Sequence, residues 1–201
     1  APLRAPPERV AGLVYLVTTT AGAAATDNLP LVVVIHGLGD RAPSMIALFR
    51  DLPGRARVAA LQAPSRYRGG YSWFPSRFDG SDLPAMVEGL RTAAARVSEA
   101  TRELTQAFPT TGKPIITGFS QGGMLSFAVA LHHPDTVEAA FPLSGWLPEE
   151  LMPTTKPKAI NFPPIRAYHG EADTLLTVGR TRTVVEQLRQ LGYDVELKTY
   201  P

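Results

Sequence analysis

The sequence contains no cysteine, which removes disulfides, thiolate metal sites and a cysteine nucleophile together. Such a chain suits either side of a membrane, as a cytoplasmic protein or as one exported after loss of a leader. No apolar run approaches the roughly 18 residues of a membrane-spanning helix, so no transmembrane segment is expected. Charge is sparse as well: Asp, Glu, Lys and Arg make up 19% of residues and the formal net charge is only +2. Basic residues are scattered rather than run together, which argues against a nucleic-acid face. There is no internal repeat, low-complexity tract or linker. The 201 residues are therefore expected to form a single domain, 1–201, large enough to bury a proper core. The chain opens at Ala1 rather than Met, as if an initiator or longer leader had been removed. Its first stretch, Ala1–Arg9, reads as a proline-rich lead-in.

What is present is an alternation of short apolar runs and longer helical periods, the pattern of an α/β sheet. Strands are expected at 13–19, as an antiparallel edge, and at 31–35, where LVVVI is apolar throughout, as in a strand buried on both faces. Others are expected at 58–62, 115–118, 137–143, 165–169 and 195–200, with helices at 84–108, 122–132 and 178–191. Segments 66–81 and 146–164 follow neither period. The first carries Tyr67, Tyr71, Trp73, Phe74 and Phe78; the second carries Trp146 and scattered prolines. Long irregular segments in a compact domain are often functional, although aromatic residues that merely pin a loop are equally ordinary.

The chemistry is concentrated in three short motifs. Gly118-Phe119-Ser120-Gln121-Gly122 lies between an expected strand and an expected helix. A serine attacks well when a strained strand-to-helix turn lifts its hydroxyl clear of the sheet, with glycines where flanking side chains would clash. G-x-S-x-G arises by chance in roughly one such chain in fifteen, so the strand before it and the helix after it carry the weight. On that reading Ser120 is the nucleophile of an acyl transfer. His36-Gly37-Leu38-Gly39-Asp40 directly follows LVVVI. The tetrahedral intermediate of acyl transfer carries an oxyanion, and each donor aimed at it is worth about 3 to 4 kcal/mol. With a nucleophile elbow, one donor follows the serine, here Gln121, and the other lies in the loop after an early strand, here Leu38. His36, at the start of that loop, reads as a structural histidine. His169-Gly170-Glu171-Ala172-Asp173 closes a late strand, where an acid can orient a histidine and stabilise its imidazolium. Asp173 lies deeper in the loop and is the better candidate; Glu171 is the alternative, and a plain helix N-cap is the non-catalytic use of Asp173. His132 and His133 end the helix that begins at the serine, where cations suit a helix C-terminus.

With HGLGD, QAPSRY followed by Trp73-Phe74, GFSQGG, a strand ending PLSGWLP and HGEAD in this order, the chain resembles the phospholipase/carboxylesterase family of α/β-hydrolases, which includes the acyl-protein thioesterases. The resemblance spans nearly the whole chain, and GFSQGG and HGLGD are its specific parts. It implies an α/β-hydrolase fold, a mostly parallel central sheet flanked by helices on both faces. It implies Ser120 as nucleophile, Asp173 as triad acid, Leu38 and Gln121 as oxyanion donors, and Trp73 and Trp146 beside the acyl or alcohol pocket. No metal and no organic cofactor is implied, and the substrate is a small-molecule ester or thioester. One departure matters. The triad runs Ser, Asp, His, and the family's histidine lies just after the last strand, usually in a Gly-x-Gly-His stretch. This sequence ends LKTYP, and none of His36, His132, His133 and His169 stands in that place. Since losing a triad base costs on the order of a million-fold in turnover, a chain continuing past Pro201 to the catalytic histidine is expected.

The leading expectation is thus a serine carboxylesterase acting on small to medium acyl esters. Acyl-protein thioesterase and lysophospholipase are alternatives within the same chemistry. A non-catalytic α/β-hydrolase-like binding protein is the alternative from another class, with the absent histidine as its support. A dienelactone-type hydrolase is disfavoured because that chemistry generally uses a cysteine at the elbow. An exposed aromatic surface around the site would serve a homodimer contact as readily as a lipid substrate.

Overall fold

The computed structural model describes residues 8–76 and 81–201; most of the expected lead-in, residues 1–7, and Phe78 lie outside them. Among the described residues nine strands and four α-helices follow one another as β1 (Tyr15–Thr19), β2 (Leu31–Ile35), α1 (Ala42–Phe49), β3 (Arg57–Leu61), β4 (Ser65–Tyr67), β5 (Gly70–Ser72), α2 (Leu83–Ala107), β6 (Ile115–Phe119), α3 (Gln121–His132), β7 (Ala139–Leu143), β8 (Ile165–Gly170), α4 (Val178–Gln190) and β9 (Val195–Tyr200), with a short 3-10 helix at Glu149–Leu151. The main sheet has the order β1-β3-β2-β6-β7-β8-β9. Strand β1 runs antiparallel to β3 at one edge, as its sequence position suggested, and every other pairing in the sheet is parallel. Among the described residues no helix is long and apolar enough to cross a membrane.

The apolar run of β2 works on both faces. Val34 packs with Val58 and Ala60 against Ala42 and Met45 of α1. Val33 and Ile35 turn the other way and join Ala59, Leu61 and Ile116 in the larger core with α2, α3 and α4. Helix α2 buries Met86, Leu90, Ala93, Val97 and Leu104, a stripe at three- and four-residue spacing that faces inward while its charged side stays in water. Helix α3 is buried from Gln121 to Leu131, because it lies between the sheet and α2. Its sequence is accordingly apolar on all sides.

Helix α1 was not expected. Only Ala42 and Met45 of its eight residues are buried, too narrow a stripe to read as periodic, although Pro43 in the first turn is an ordinary helix start. All of the hairpin β4–β5 except Ser65 falls in the segment expected to be irregular, and it turns through Arg68 at φ 49 and Gly69.

Strand order decides where a ligand binds. From β2 the chain adds β3 on one side and then crosses to β6 on the other. The carboxyl ends of β2 and β6 therefore flank the crevice where the winding reverses, the usual ligand position in an open α/β sheet.

The far ends of the strands are held by Arg57, which is 1% exposed. Its guanidinium donates to the carbonyls of Pro109 (2.6 Å), Ala25 (2.7 Å) and Asp27 (3.2 Å) and stacks 5.0 Å from the Phe108 ring centroid. Pro109 O also accepts from Leu29 N–H at 3.3 Å, and the charged fork adds donors to all three loop carbonyls. Arg57→Met is expected to cost about 3 kcal/mol, read as a lower urea midpoint. An unchanged midpoint would show that water replaces the fork without penalty.

Candidate active site

Ser120 is the residue between β6 and α3, with φ 56 and ψ −112. A non-glycine residue in that region costs about 1 to 3 kcal/mol and persists only where its surroundings enforce it. Here the enforcement is backbone contact. A Cβ on Gly118 would stand 2.6 Å from the Gly122 carbonyl carbon and 2.7 Å from Ile35 O, and one on Gly122 would stand 2.1 Å from Ile35 O. The helix thus lies directly on the end of β2, and only glycine fits at either flank. Ser120 N–H donates to Leu143 O at 2.9 Å, and Ser120 O accepts from Met124 N–H at 3.0 Å, so both sides of the strained residue are tied down.

Leu38 and Gln121 lie with Ser120 on the wall of one cavity. The Gln121 N–H is the first of α3 and has no intrahelical acceptor. Among the described residues neither this N–H nor that of Leu38 donates to a protein acceptor. Two free backbone donors beside a raised serine are what an oxyanion requires.

The side chain of Gln121 does something the sequence did not suggest. It is 3% exposed. Its Oε1 accepts from Trp73 N–H (3.0 Å), and its Nε2 donates to Phe74 O (2.9 Å) and to Ser72 Oγ (3.3 Å). The irregular aromatic segment is thereby stapled to the residue that follows Ser120. Trp73 completes the staple by donating its indole N–H to His36 O at 2.9 Å. Trp73 is 5% exposed and does not line the cavity at Ser120, whereas Trp146 does.

His36 is fully buried. Its Nδ1–H donates to Gly37 O (2.7 Å) and its Nε2 accepts from Ala63 N–H and Gln62 Nε2, both at 3.1 Å. This ring sets the loop that carries Leu38, the structural use its position suggested. Burial holds its pKa below the ordinary 6.5, against the opposing pull of the Gly37 carbonyl and Asp40.

Asp173 is half-buried in the loop after β8. Its Oδ1 accepts from the backbone N–H groups of Leu175 (3.0 Å) and Leu176 (2.9 Å), while Oδ2 lies 3.5 Å from His169 Nε2. It caps this turn rather than α4. Glu171 is committed elsewhere, accepting from Arg182 (3.1 Å) and Thr199 Oγ1 (2.7 Å). His169, 2% exposed, donates Nε2–H to Leu176 O (2.7 Å) and meets Thr181 Oγ1 at 2.8 Å. His132 donates to Leu151 O at 2.9 Å, and His133 caps the far end of α3. Among the described residues no histidine ring bonds to the Ser120 hydroxyl.

The cavity holds about 400 Å³ and is lined by Leu83, Met86, Met124, Leu175 and Leu176 beside the polar groups Asp82, Glu149, Glu150 and Arg180. Among the described residues no cluster of metal-ligating side chains occurs.

Residues 21–201 match the Phospholipase/Carboxylesterase family. The chain belongs to this family of carboxylic ester hydrolases. It is 27% identical to acyl-protein thioesterase 1 of Gibberella zeae, over 96% of this chain and 87% of that protein. It is 31% identical to a protein of Oryza sativa subsp. japonica named as a probable carboxylesterase, over 98% of this chain and 78% of that protein. In structure it is similar to the esterase PE8, with a TM-score of 0.76 at 28% identity over 94% of this chain and 88% of that one.

Two measurements test this arrangement. Gly122→Ala forces a methyl group onto Ile35 O and is expected to cost at least about 3 kcal/mol by displacing α3 or the elbow; a loss under 1 kcal/mol would mean that the helix shifts freely. Burial also lowers the pKa values of His36, His132 and His133. Groups held neutral by folding contribute stability that is complete above the unfolded value near 6.5 and is lost as pH falls through the lower folded values. The urea midpoint is therefore expected to drop between pH 7 and pH 5, and a flat profile there would contradict the buried neutral rings.

Proposed function

We propose that this carboxylic ester hydrolase is a serine carboxylesterase for small to medium acyl esters, working through an acyl-enzyme on Ser120. The observation that carries the reading is the enforced positive-φ conformation of Ser120 at the strand-reversal crevice, opening on a cavity of mixed apolar and charged lining. Ser120 Oγ attacks the carbonyl carbon, and the oxygen takes the electron pair. The N–H groups of Leu38 and Gln121 hold that oxyanion, the alcohol departs with a proton, and water then releases the acid by the reverse sequence. Asp173 orients the base through Oδ2, the oxygen not used to cap its turn. None of His36, His132, His133 and His169 is assigned as that base, since each is occupied in the structural contacts above. The carboxyl end of β9 lies beside the loop that carries Asp173, since Glu171 N–H donates to Tyr200 O at 2.6 Å.

A cavity of about 400 Å³ is near the lower end of ordinary small-ligand sites. It favours small to medium acyl groups over the long chains of an acyl-protein thioesterase or lysophospholipase. Leu175, 66% exposed on the cavity wall, meets the substrate in this reading rather than a second subunit.

In the full-length protein, Ser120→Ala is expected to lower turnover of p-nitrophenyl butyrate on the order of 10⁶-fold with the fold intact. Activity surviving that change would sink the assignment, as would an already inert parent, which the non-catalytic reading requires. Asp173→Asn is expected to cost about 10⁴-fold. A loss below tenfold, with a large one in Glu171→Gln, would transfer the acid's role to Glu171.

A further inference from the structure

The wall of the Ser120 cavity carries a cation that ester hydrolysis leaves unused. The Arg180 guanidinium sits 4.7 Å from the ring centroid of Trp146, and both residues line the cavity. Among the described residues this guanidinium has no ion pair and no hydrogen bond. Arg182, two residues further along α4, is by contrast tied to Glu171 at 3.1 Å. Stacking on an indole fixes the guanidinium plane and leaves its N–H edges open, the state in which it best receives a planar or tetrahedral oxyanion.

The pair is held by its chain neighbours. Thr181, next to Arg180, donates its hydroxyl to the carbonyl of Gly145, next to Trp146, at 2.6 Å. The same hydroxyl oxygen meets buried His169, whose other nitrogen fixes Leu176 in the loop capped by Asp173. One bonded series thus joins the arginine, its aromatic platform and the proposed triad acid, so Arg180 is held in register with the reacting centre.

Resting on the esterase reading above, we infer that Arg180 is a specificity-determining residue that selects esters bearing a second, anionic group, a carboxylate or phosphate, remote from the scissile carbonyl. Three acids share the cavity wall. Glu149 and Glu150 are exposed, and no carboxylate of the described residues lies within ion-pair distance of Arg180. Exposed charges at longer range are screened by solvent, whereas a guanidinium fork acts at contact.

The test compares matched esters in the full-length protein: p-nitrophenyl pentanoate with mono-p-nitrophenyl glutarate, and butyryl glycerol with butyryl glycerol 3-phosphate. The ratio of kcat/KM for the anionic over the neutral ester is expected to fall about 10- to 100-fold in Arg180→Gln. Arg180→Lys, which keeps the charge without the fork, recovers it only in part. A response in the glutarate pair alone assigns a carboxylate, and one in the glycerol pair alone a phosphate. Ratios unchanged in both pairs, or raised, overturn the inference. If the parent protein hydrolyses none of the four esters, it is the esterase reading that fails. Titration with glutarate and with glycerol 3-phosphate, followed by Trp146 fluorescence with Trp146→Phe as the blank, then decides Arg180 separately. Binding lost in Arg180→Gln supports the inference, and equal or absent binding in both proteins refutes it.

Discussion

The site depends on one close approach of backbone to backbone, where the first turn of α3 rests on the carboxyl end of β2. Gly122 stands so near Ile35 O that a single added carbon would lie 2.1 Å from it. That contact sets the height of α3 over the sheet and with it the strained turn at Ser120. Because β2 also launches the HGLGD loop, the contact fixes the distance between Ser120, the proposed nucleophile, and the backbone N–H groups proposed as its oxyanion donors. The reactive groups come from separate strands, yet their spacing is set by packing that involves no side chain at all.

Around this contact the buried polar groups are all committed. Gln121 supplies a backbone donor to the cavity and uses its side chain to hold Ser72, Trp73 and Phe74. His36 ties β2 to the end of β3 through Ala63 and Gln62. No buried side-chain nitrogen or oxygen among the described residues lacks a partner. Such networks are rigid because each broken bond leaves a desolvated group unpaired. A preorganised oxyanion site needs that rigidity, since donors that must reorient lose their advantage.

Much of this could be read from the sequence where periodicity and backbone demands coincide. LVVVI reads as a strand buried on both faces because every side chain in it is apolar. GFSQG reads as an elbow because glycines flank a serine at a strand-to-helix junction. Helix α1 escaped because it buries only two residues and so leaves no stripe. An aromatic residue near a site reads alike in sequence whether it lines the pocket or props its floor; the buried indole N–H of Trp73 bonds to His36 O, a contact with no local signal. The roles of the Gln121 side chain and of Arg180 depend on contacts across 48 and 34 residues of chain respectively, distances at which no local pattern carries a signal.

The most direct test of the account is the site of covalent labelling by a fluorophosphonate, mapped by peptide mass spectrometry on the native protein. The account predicts one adduct per chain, on Ser120, that disappears when the protein is unfolded before labelling. An adduct on another serine, or none on native protein, would contradict it.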